Sequence, residues 1–573
     1  MTTRDTMYSE DISDSHKHVV SVLQDGVTKL PPELDEAGNV EYKVGTLTKL
    51  DNTSSHRAIH LATQLQWRLA EGDGHALYIV GVHDNGDVVG ISDEEFEHTI
   101  DTLENMAQQL DNARIVSIKK RVLHDSERVV AEVRLAQKAP LPQTELRVAV
   151  LGDYGAGKST VLGCLTHGEA DDGRGKARLN LMRHQHELES GHTSSITLST
   201  VGFDGDGRVQ NYTNNRSAEH IFQRSQHVVT FIDTCGHAKH LKTTARALTG
   251  YSPHVFCVVI PADAVEVSTT TREYIQIAAA LGMPLMVAVS KMDIADKAGF
   301  AALMHELLGT LDAVLPERSK CIVVNVDEHQ SLADDMMRMS VVPIFTTSAV
   351  RTLGFGDLTA VLGKSLAKRV AYSTDGVKPF EFHIEHLYSI DTVGTVATGW
   401  VHNGAVAAGG AADTQQLVIG PDSSGNFVEA DVSSIHTLRT PTESAKAGMS
   451  ASLAIQPRSP ITIQKGMVVL GADQLEAGGR RISSEFTATV TVLCSDLVKM
   501  QAVVVHIRST YHLATIVDIG SSTDHQPPGC AQATTGLRLR LSGNVRELIY
   551  PGMPVVARDG RSLTFAGRVT AAM

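Results

Sequence analysis

The stretch that decides the fold is Gly152-Asp-Tyr-Gly-Ala-Gly-Lys-Ser159, a complete GxxxxGK[ST] pattern. The apolar run before it (146–151) predicts a strand, and the run after it (160–165) predicts a helix. Such glycines let backbone N–H groups turn inward around phosphate oxygens, and the helix N-terminus adds a favourable partial charge. Lys158 can then reach the β- and γ-phosphates of a nucleotide, and Ser159 can ligate Mg²⁺. We predict phosphate contacts from Gly152, Asp153, Tyr154, Gly155, Ala156, Gly157, Lys158, Ser159 and Thr160.

Three shorter motifs follow, each at the end of a predicted strand. They are Asp233-Thr-Cys-Gly236, Ser290-Lys-Met-Asp293 and Thr347-Ser-Ala349. Ligand-binding residues of an open parallel sheet belong at these carboxyl ends. Asp233 can hold Mg²⁺ through water, and the N–H of Gly236 can sense a γ-phosphate.

The second and third of these motifs indicate the base. A carboxylate at Asp293 accepts hydrogen bonds from guanine N1–H and its 2-amino group, which adenine cannot offer. Lys291, next to Ser290, can lie over the purine face, and the N–H groups of Ser348 and Ala349 can meet guanine O6. The four motifs in this order predict an enzyme that hydrolyses GTP to GDP and phosphate, and they make ATP the poor alternative.

The 573 residues suggest roughly four domains. We predict a flexible tail over 1–40, a small α/β domain over 41–140, a P-loop GTPase domain over 144–372, and β-barrels over 378–475 and 482–573. Alternating strands and helices give the GTPase domain a mostly parallel sheet with helices on both faces. In the small domain, patterns predict helices near 58–69 and 96–110 around a strand at 76–82.

Charge and cysteine usage limit the partners. A net charge of −14 argues against a protein coated in nucleic acid, although residues 480–573 hold 10 Lys and Arg against 6 Asp and Glu. No apolar run reaches about 18 residues, and the six cysteines are scattered without a CxxC pair. We therefore expect no membrane association, no DNA partner and a cytoplasmic location.

Further residues carry a family resemblance. The segments 165–169, 172–178 and 184–195, with Asp559-Gly-Arg561 near the C-terminus, closely resemble the GTP-binding protein 1 and GTP-binding protein 2 family. Those proteins are translational GTPases related to elongation factor Tu, elongation factor 1-alpha and Hbs1-type factors. The resemblance covers roughly residues 60–573 and implies a GTPase domain followed by two β-barrels.

The resemblance also implies roles for single residues. Thr193 would be the switch threonine that contacts Mg²⁺ and the γ-phosphate, and His237 would orient the attacking water. The predicted catalytic residues are thus Lys158, Thr193 and His237, and the predicted metal ligands are Ser159, Thr193 and, through water, Asp233. No arginine supplied in cis is identifiable, so slow basal turnover with stimulation by a partner is expected.

Three positions depart from the family pattern. Tyr154 stands where a small apolar residue often forms one wing of a gate around the water. Gly155 replaces an Asp that could help to bind a monovalent cation. Ser290 replaces an Asn and removes an amide that braces the loop. These changes leave GTP binding in place and bear on the gate and the bracing.

Two functional hypotheses remain open. In the first, the protein carries aminoacyl-tRNA or acts on the ribosome in elongation or rescue. The side chains of Arg508, Arg538, Arg540 and Arg546 would then contact phosphates, although they could equally be ordinary solvated arginines. In the second, it is a GTP-gated adaptor that binds mRNA-decay proteins.

Overall fold

The computed structural model describes most of the chain. The described residues are 27–32, 38–44, 55–72, 75–110, 113–123, 128–137, 144–182, 185, 187, 193–204, 207–215, 217–315, 319–324, 329–363, 379–390, 393–408, 416–442, 444–475, 479–493, 497–522, 533–543, 545–560 and 562–573. The chain forms two compact units, Met1–Leu141 and Pro142–Met573.

The predicted tail over 1–40 lies mostly outside the described residues. Within that range, residues 27–32 run along the tight turn at Asn85-Gly86. Leu30 N donates to Gly86 O (2.8 Å), Val88 N donates to Thr28 O (3.0 Å), and the side chain of Leu30 is buried.

The first unit is one sheet with two helices packed on one face. Its elements are β1 (Val40–Lys43), α1 (Ser55–Glu71), β2 (His75–Val80), α2 (Asp93–Gln109), β3 (Ala113–Val122) and β4 (Val129–Gln137). The strand order is β1-β2-β4-β3, with β1 and β2 parallel and the other pairs antiparallel. Both helices cover the face with Ala76, Tyr78 and Val80, which alternate along β2 as a pleated strand requires.

Helix α2 begins three residues before the predicted start at 96. Glu95 N donates to Ser92 Oγ (3.2 Å), and Ser92 N donates to Glu95 Oε2 (2.9 Å). This reciprocal capping box satisfies N–H groups that have no partner inside the helix, so the helix can begin at Asp93.

The second unit opens with the nucleotide-binding domain. Its elements are β5 (Thr144–Gly152), α3 (Lys158–His167), β6 (Thr197–Phe203), β7 (Val209–Gln210), α4 (Ala218–Gln223), β8 (His227–Asp233), α5 (Leu241–Gly250), β9 (Val255–Pro261), α6 (Thr269–Ala280), β10 (Leu285–Ser290), α7 (Lys297–Val314), β11 (Lys320–Val323), α8 (His329–Met337), β12 (Val341–Thr346) and α9 (Phe355–Val361). The strand order is β11-β12-β10-β9-β5-β8-β6-β7. The first six strands in this order run parallel to one another, and the last two, β6 and β7, form an antiparallel edge.

Helices cover both faces of this sheet. Leu146, Val148 and Val150 of β5 pack on the side of α3, α8 and α9. Ala149 and Leu151 pack on the side of α5, α6 and α7. A strand buried on both faces needs apolar residues on both sides, which explains the uninterrupted apolar run over 148–151 in β5.

Two β-domains follow. The first holds β13 (Glu381–Ile390), β14 (Gly394–Asn403), β15 (Ala405–Ala407), β16 (Leu417–Gly420), β17 (Val428–Thr437), β18 (Thr440–Thr442), β19 (Ser444–Lys446), β20 (Ser450–Pro457) and β21 (Val468–Gly471). Its main sheet runs β16-β21-β13-β14-β20-β17-β18, and pairing of β16 with β17 joins it into a barrel. The apolar side chains of Phe382, Ile419 and Leu453 fill its interior.

The second β-domain holds β22 (Arg481–Ser483), β23 (Glu485–Val492), β24 (Ala502–Ile507), β25 (Thr510–Ser522), β26 (Thr534–Leu541), β27 (Glu547–Ile549), β28 (Pro554–Asp559) and β29 (Ser562–Ala572). Six of these strands close a barrel in the order β23-β26-β25-β24-β28-β29. The predicted fold class is therefore confirmed: an α/β P-loop domain followed by β-barrels and preceded by a small α/β domain. Among the helices of the described ranges, none combines the length and the apolar character that a bilayer crossing needs.

Candidate nucleotide-binding site

The phosphate-binding loop joins β5 to α3 and needs its glycines. Gly152 has φ 142°, and a Cβ there would lie 2.3 Å from Val259 O on the neighbouring strand. Gly157 has φ 90° immediately before the helix begins at Lys158. Both backbone conformations are ones that side-chain-bearing residues rarely adopt. The loop therefore turns tightly enough to aim its N–H groups at one point.

Lys158 lies inside this turn. Its ammonium donates to Gly152 O and to Asp153 O, both at 3.0 Å, and the side chain is 7% exposed. Burial lowers its pKa, while the charge of Asp233 acts in the opposite direction. Within the described ranges, this buried ammonium is held by carbonyl oxygens alone, so it is well placed to move onto phosphate oxygens.

The three predicted metal ligands come together. Ser159 Oγ donates to Asp233 Oδ2 (2.7 Å) and lies 2.9 Å from Thr193 Oγ1. Asp233 is 1% exposed, and its second oxygen, Oδ1, is buried and has no hydrogen-bond partner among the described residues. Burial raises the pKa of Asp233 to about 6, against the lowering effect of the Ser159 hydrogen bond. One carboxylate and two hydroxyls fit Mg²⁺, which binds oxygen and is commonly held by few protein ligands plus phosphates.

The two residues that follow Thr193 are hydrogen-bonded to Glu187, which precedes it in the chain. The carboxylate of Glu187 accepts hydrogen bonds from Ser194 N (2.8 Å) and Ser195 N (3.1 Å). Burial raises the pKa of Glu187, but these hydrogen bonds outweigh it and bring the pKa to about 2. Sequence reasoning missed this bracket.

Gly236 and His237 lie beside the same cavity as Lys158, Ser159 and Thr193. A Cβ on Gly236 would lie 2.3 Å from Lys158 Nζ, so the loop passes directly over the lysine. The rings of His237 and Tyr154 meet edge to face with centroids 5.7 Å apart. These residues and Thr160, with Arg178, line a cavity of about 280 Å³ at the phosphate end of the site.

The two loops predicted to recognise the base lie at the ends of β10 and β12. Ser348 Oγ donates to Asp293 Oδ1 (2.6 Å), and Met292 N donates to Thr347 O (3.1 Å). Lys291, which follows the last residue of β10, has a positive φ of 59°. The two motifs, about 55 residues apart in sequence, therefore form one unit. Ala349 O accepts from Asp171 N (3.0 Å), which ties this unit to the segment after α3.

At Ser290, where the family pattern has an amide, a hydroxyl contacts the phosphate loop. The hydroxyl of Ser290 donates to Ala156 O in the phosphate loop (2.6 Å), and a Cβ on Gly157 would lie 3.5 Å from Ser290 Oγ. A short hydroxyl can therefore brace the loop, because the two backbones approach closely here.

Sequence reasoning also missed Arg178 and Asp171. Arg178 lines the phosphate cavity from the 3₁₀ helix Ala177–Leu181. The carboxylate of Asp171 organises the turn that leads to it. The signal in the sequence was an acidic residue followed by Gly173 and Gly175, a pattern typical of side-chain-capped turns.

A phosphate loop, oxygen ligands for a metal and a paired base-recognition unit at one sheet edge define a GTPase of the translation-factor class. Residues 143–368 match the family described as Elongation factor Tu GTP binding domain. The chain is 37% identical to GTP-binding protein 2 from Homo sapiens over 471 residues, which cover 81% of this chain and 76% of that protein. It is 33% identical to GTP-binding protein 1 from Xenopus laevis, over 80% of this chain and 68% of that protein. The chain belongs to the GTP-binding protein 1 and GTP-binding protein 2 family of translational GTPases.

Solved structures show the same fold at lower identity. Translation elongation factor SelB from Methanococcus maripaludis with the GTP analogue GppNHp has a TM-score of 0.52 at 16% identity, covering 75% of this chain and 80% of that one. The Ski7 GTPase-like domain of S. cerevisiae, bound to GTP, has a TM-score of 0.53 at 13% identity, covering 74% and 97%.

Proposed function

We propose that this GTPase acts in the cytoplasm on aminoacyl-tRNA or on the ribosome, in elongation or rescue, and that GTP hydrolysis ends its bound state. The observation that supports this most directly is helix α5. It begins just after His237 and contacts both β-barrels, so a change at the phosphate end can alter the surface that the barrels present.

The contacts of α5 are specific. Two hydrogen bonds join it to the second barrel. Thr249 Oγ1 donates to Arg508 O (2.7 Å), and Ser509 Oγ of the barrel donates to Gly250 O of the helix (3.1 Å). Arg246 donates to Glu385 O (3.0 Å) in the first. A cycle in which bound γ-phosphate orders the loops at Thr193 and Gly236 would therefore be transmitted through this helix.

We propose that hydrolysis depends on positioning and charge neutralisation. Mg²⁺ held by Ser159, Thr193 and Asp233 would neutralise phosphate charge. His237 Nδ1 accepts from Lys239 N (3.1 Å), so a neutral ring carries its proton on Nε2. That N–H can donate to the oxygen of a water, which favours a role in orienting the water over one in deprotonating it.

The basic side chains suggested for RNA binding divide into two groups. Arg508 is 3% exposed and donates to the carboxylate of Glu547, so its predicted phosphate contact is wrong. The side chains of Arg538 and Arg540 remain 42% and 57% exposed while they share Glu485. These two, with the exposed Arg546, are the side chains that we propose for phosphate contact.

The test is filter binding of charged tRNA with a non-hydrolysable GTP analogue and with GDP, over a salt series. We expect tighter binding with the analogue. Affinity that is independent of the nucleotide at every salt concentration would contradict the proposal. Capture of mRNA-decay proteins without ribosomes by the analogue-bound protein would favour the adaptor hypothesis instead.

A further inference from the structure

Arg178 is a cation at the phosphate cavity that no motif predicted. It lines the cavity together with Lys158, Ser159, Thr193 and His237. Its Nε is buried and has no hydrogen-bond partner in the described part of the chain. A buried donor without a partner is costly, so its presence beside a phosphate-binding loop calls for an acceptor.

The backbone that carries Arg178 is held rigidly. The carboxylate of Asp171 accepts from Gly173 N (2.9 Å), Gly175 N (3.1 Å) and Ala177 N (3.0 Å). Asp172, the carboxylate nearest to Arg178 in sequence, likewise accepts from Arg174 N (2.8 Å) and Lys176 N (3.2 Å). Both carboxylates therefore bond to the turn, and neither forms an ion pair with Arg178 among the described residues.

Two glycines bring this segment close. A Cβ on Gly163 of α3 would lie 2.1 Å from Ala177 O, so the 3₁₀ helix presses directly on the helix that follows the phosphate loop. A Cβ on Gly175 would lie 2.5 Å from Arg178 Nε, so the turn leaves room for the guanidinium beside it. The position of Arg178 is thus fixed relative to Lys158 at the start of α3.

We propose that Arg178 is an arginine supplied in cis that binds phosphate oxygens of GTP and stabilises the charge that develops during hydrolysis. The inference depends on the phosphate cavity being the nucleotide site. A guanidinium presents planar, paired donors that match phosphate oxygens, and such donors contribute most where water is excluded. The sequence alone identified no arginine supplied in cis, and Arg178 is the candidate that the structure adds.

The test compares Arg178→Ala and Arg178→Lys in the full chain. The matched control is Arg174→Ala, because Arg174 lies exposed on the same turn. We expect Arg178→Ala to slow single-turnover GTP hydrolysis by about 100-fold or more and to weaken GTP binding by about tenfold. Arg178→Lys should recover part of both, and Arg174→Ala should stay within about twofold.

A structural role gives a different pattern. Arg178→Ala would then lower the affinities for guanosine and for GTP equally, and that outcome would overturn the proposal. So would wild-type hydrolysis and GTP affinity in a folded Arg178→Ala protein. Asp293→Asn, measured in parallel, distinguishes failure of the nucleotide-site assignment from failure of the role proposed for Arg178. If its base preference changes while Arg178→Ala has no effect, the nucleotide site stands and the arginine role falls. If its base preference is unchanged, the site and the inference fall together.

Discussion

Replacing Arg147 with methionine should break a buried ion cluster that joins the nucleotide-binding domain to the first barrel. Arg147 lies on β5 and is 1% exposed. Its guanidinium pairs with Glu385 of β13, donates to Ser450 Oγ (2.9 Å) and to Tyr251 O (2.8 Å), and stacks on Trp400 at 4.3 Å.

The expected cost follows from what the substitution leaves behind. Glu385 is 2% exposed and Glu145 is 5% exposed, and both would lose their buried cation. Removal of one partner from a buried pair typically costs about 3–5 kcal/mol. That is a large share of the roughly 5–15 kcal/mol that stabilises a typical protein.

The cost should depend on pH. Burial raises the pKa of Glu385, and Arg147 opposes that rise. Without Arg147, the folded protein would take up a proton on Glu385 at higher pH than the unfolded chain does. Stability of the variant should therefore recover as pH falls, so that its deficit is larger at about pH 8 than at about pH 5.

The assay is urea unfolding followed by the fluorescence of Trp400, in a Trp67→Phe background that leaves Trp400 as the single tryptophan. The control is Arg458→Met, whose exposed pairs with Glu429 and Asp431 should contribute less than about 1 kcal/mol. Arg147→Met combined with Glu385→Met should recover much of the loss. A deficit for Arg147→Met no larger than that of the control, or no coupling in the double-mutant cycle, would refute the reasoning.

Three further outcomes are expected at the site and in the second barrel. Asp293→Asn should lower GTP affinity by about 10²–10⁴-fold and favour xanthosine triphosphate in competition binding, because two hydrogen bonds to a carboxylate are lost; unchanged selectivity would contradict the base assignment. His237→Ala should slow single-turnover hydrolysis by about 100-fold with GTP affinity kept, whereas loss of both would indicate a structural histidine. Burial and Arg558 lower the pKa of His506 to about 3, so below pH ~6.5 the unfolded chain binds a proton that the folded chain does not. Stability should fall by about 1.4 kcal/mol per pH unit from about pH 6 to 4, and His506→Gln should flatten that slope in urea titrations; an unchanged slope would exclude this ring as its source.

The nucleotide motifs could be predicted because each is local. A strand followed by its ligand residues is visible in a short window, and parallel strands place their carboxyl ends at one edge. Asp293 and Ser348 were therefore predicted to converge without any knowledge of their contact, and the structure puts them 2.6 Å apart.

The joint between domains could not be predicted in the same way. Arg147 and Glu385 are 238 residues apart, and each lies in a strand that also holds another charged residue, Glu145 or Glu381, so nothing in the sequence pairs the two. Arg508 is a second residue whose surroundings could not be predicted from the sequence. A net positive segment indicates charge, but whether a given arginine faces solvent or a buried Glu547 depends on strand packing. The position of Arg178 depends on the turn around Asp171, and the sequence indicated that turn only through Gly173 and Gly175.

The two ends of the nucleotide site are connected by short hydrogen-bonded links. Ser290 Oγ bonds Ala156 O, which joins the guanine loop to the phosphate loop. Asp171 N bonds Ala349 O, while the carboxylate of Asp171 holds the turn that carries Arg178. We therefore expect a base that misplaces the loop of Ala349 to displace the segment that carries Arg178 as well. Such groups must be placed within fractions of an ångström to stabilise developing charge. We therefore propose that these links couple guanine recognition to hydrolysis, and we expect selectivity to appear in the rate as well as in the affinity.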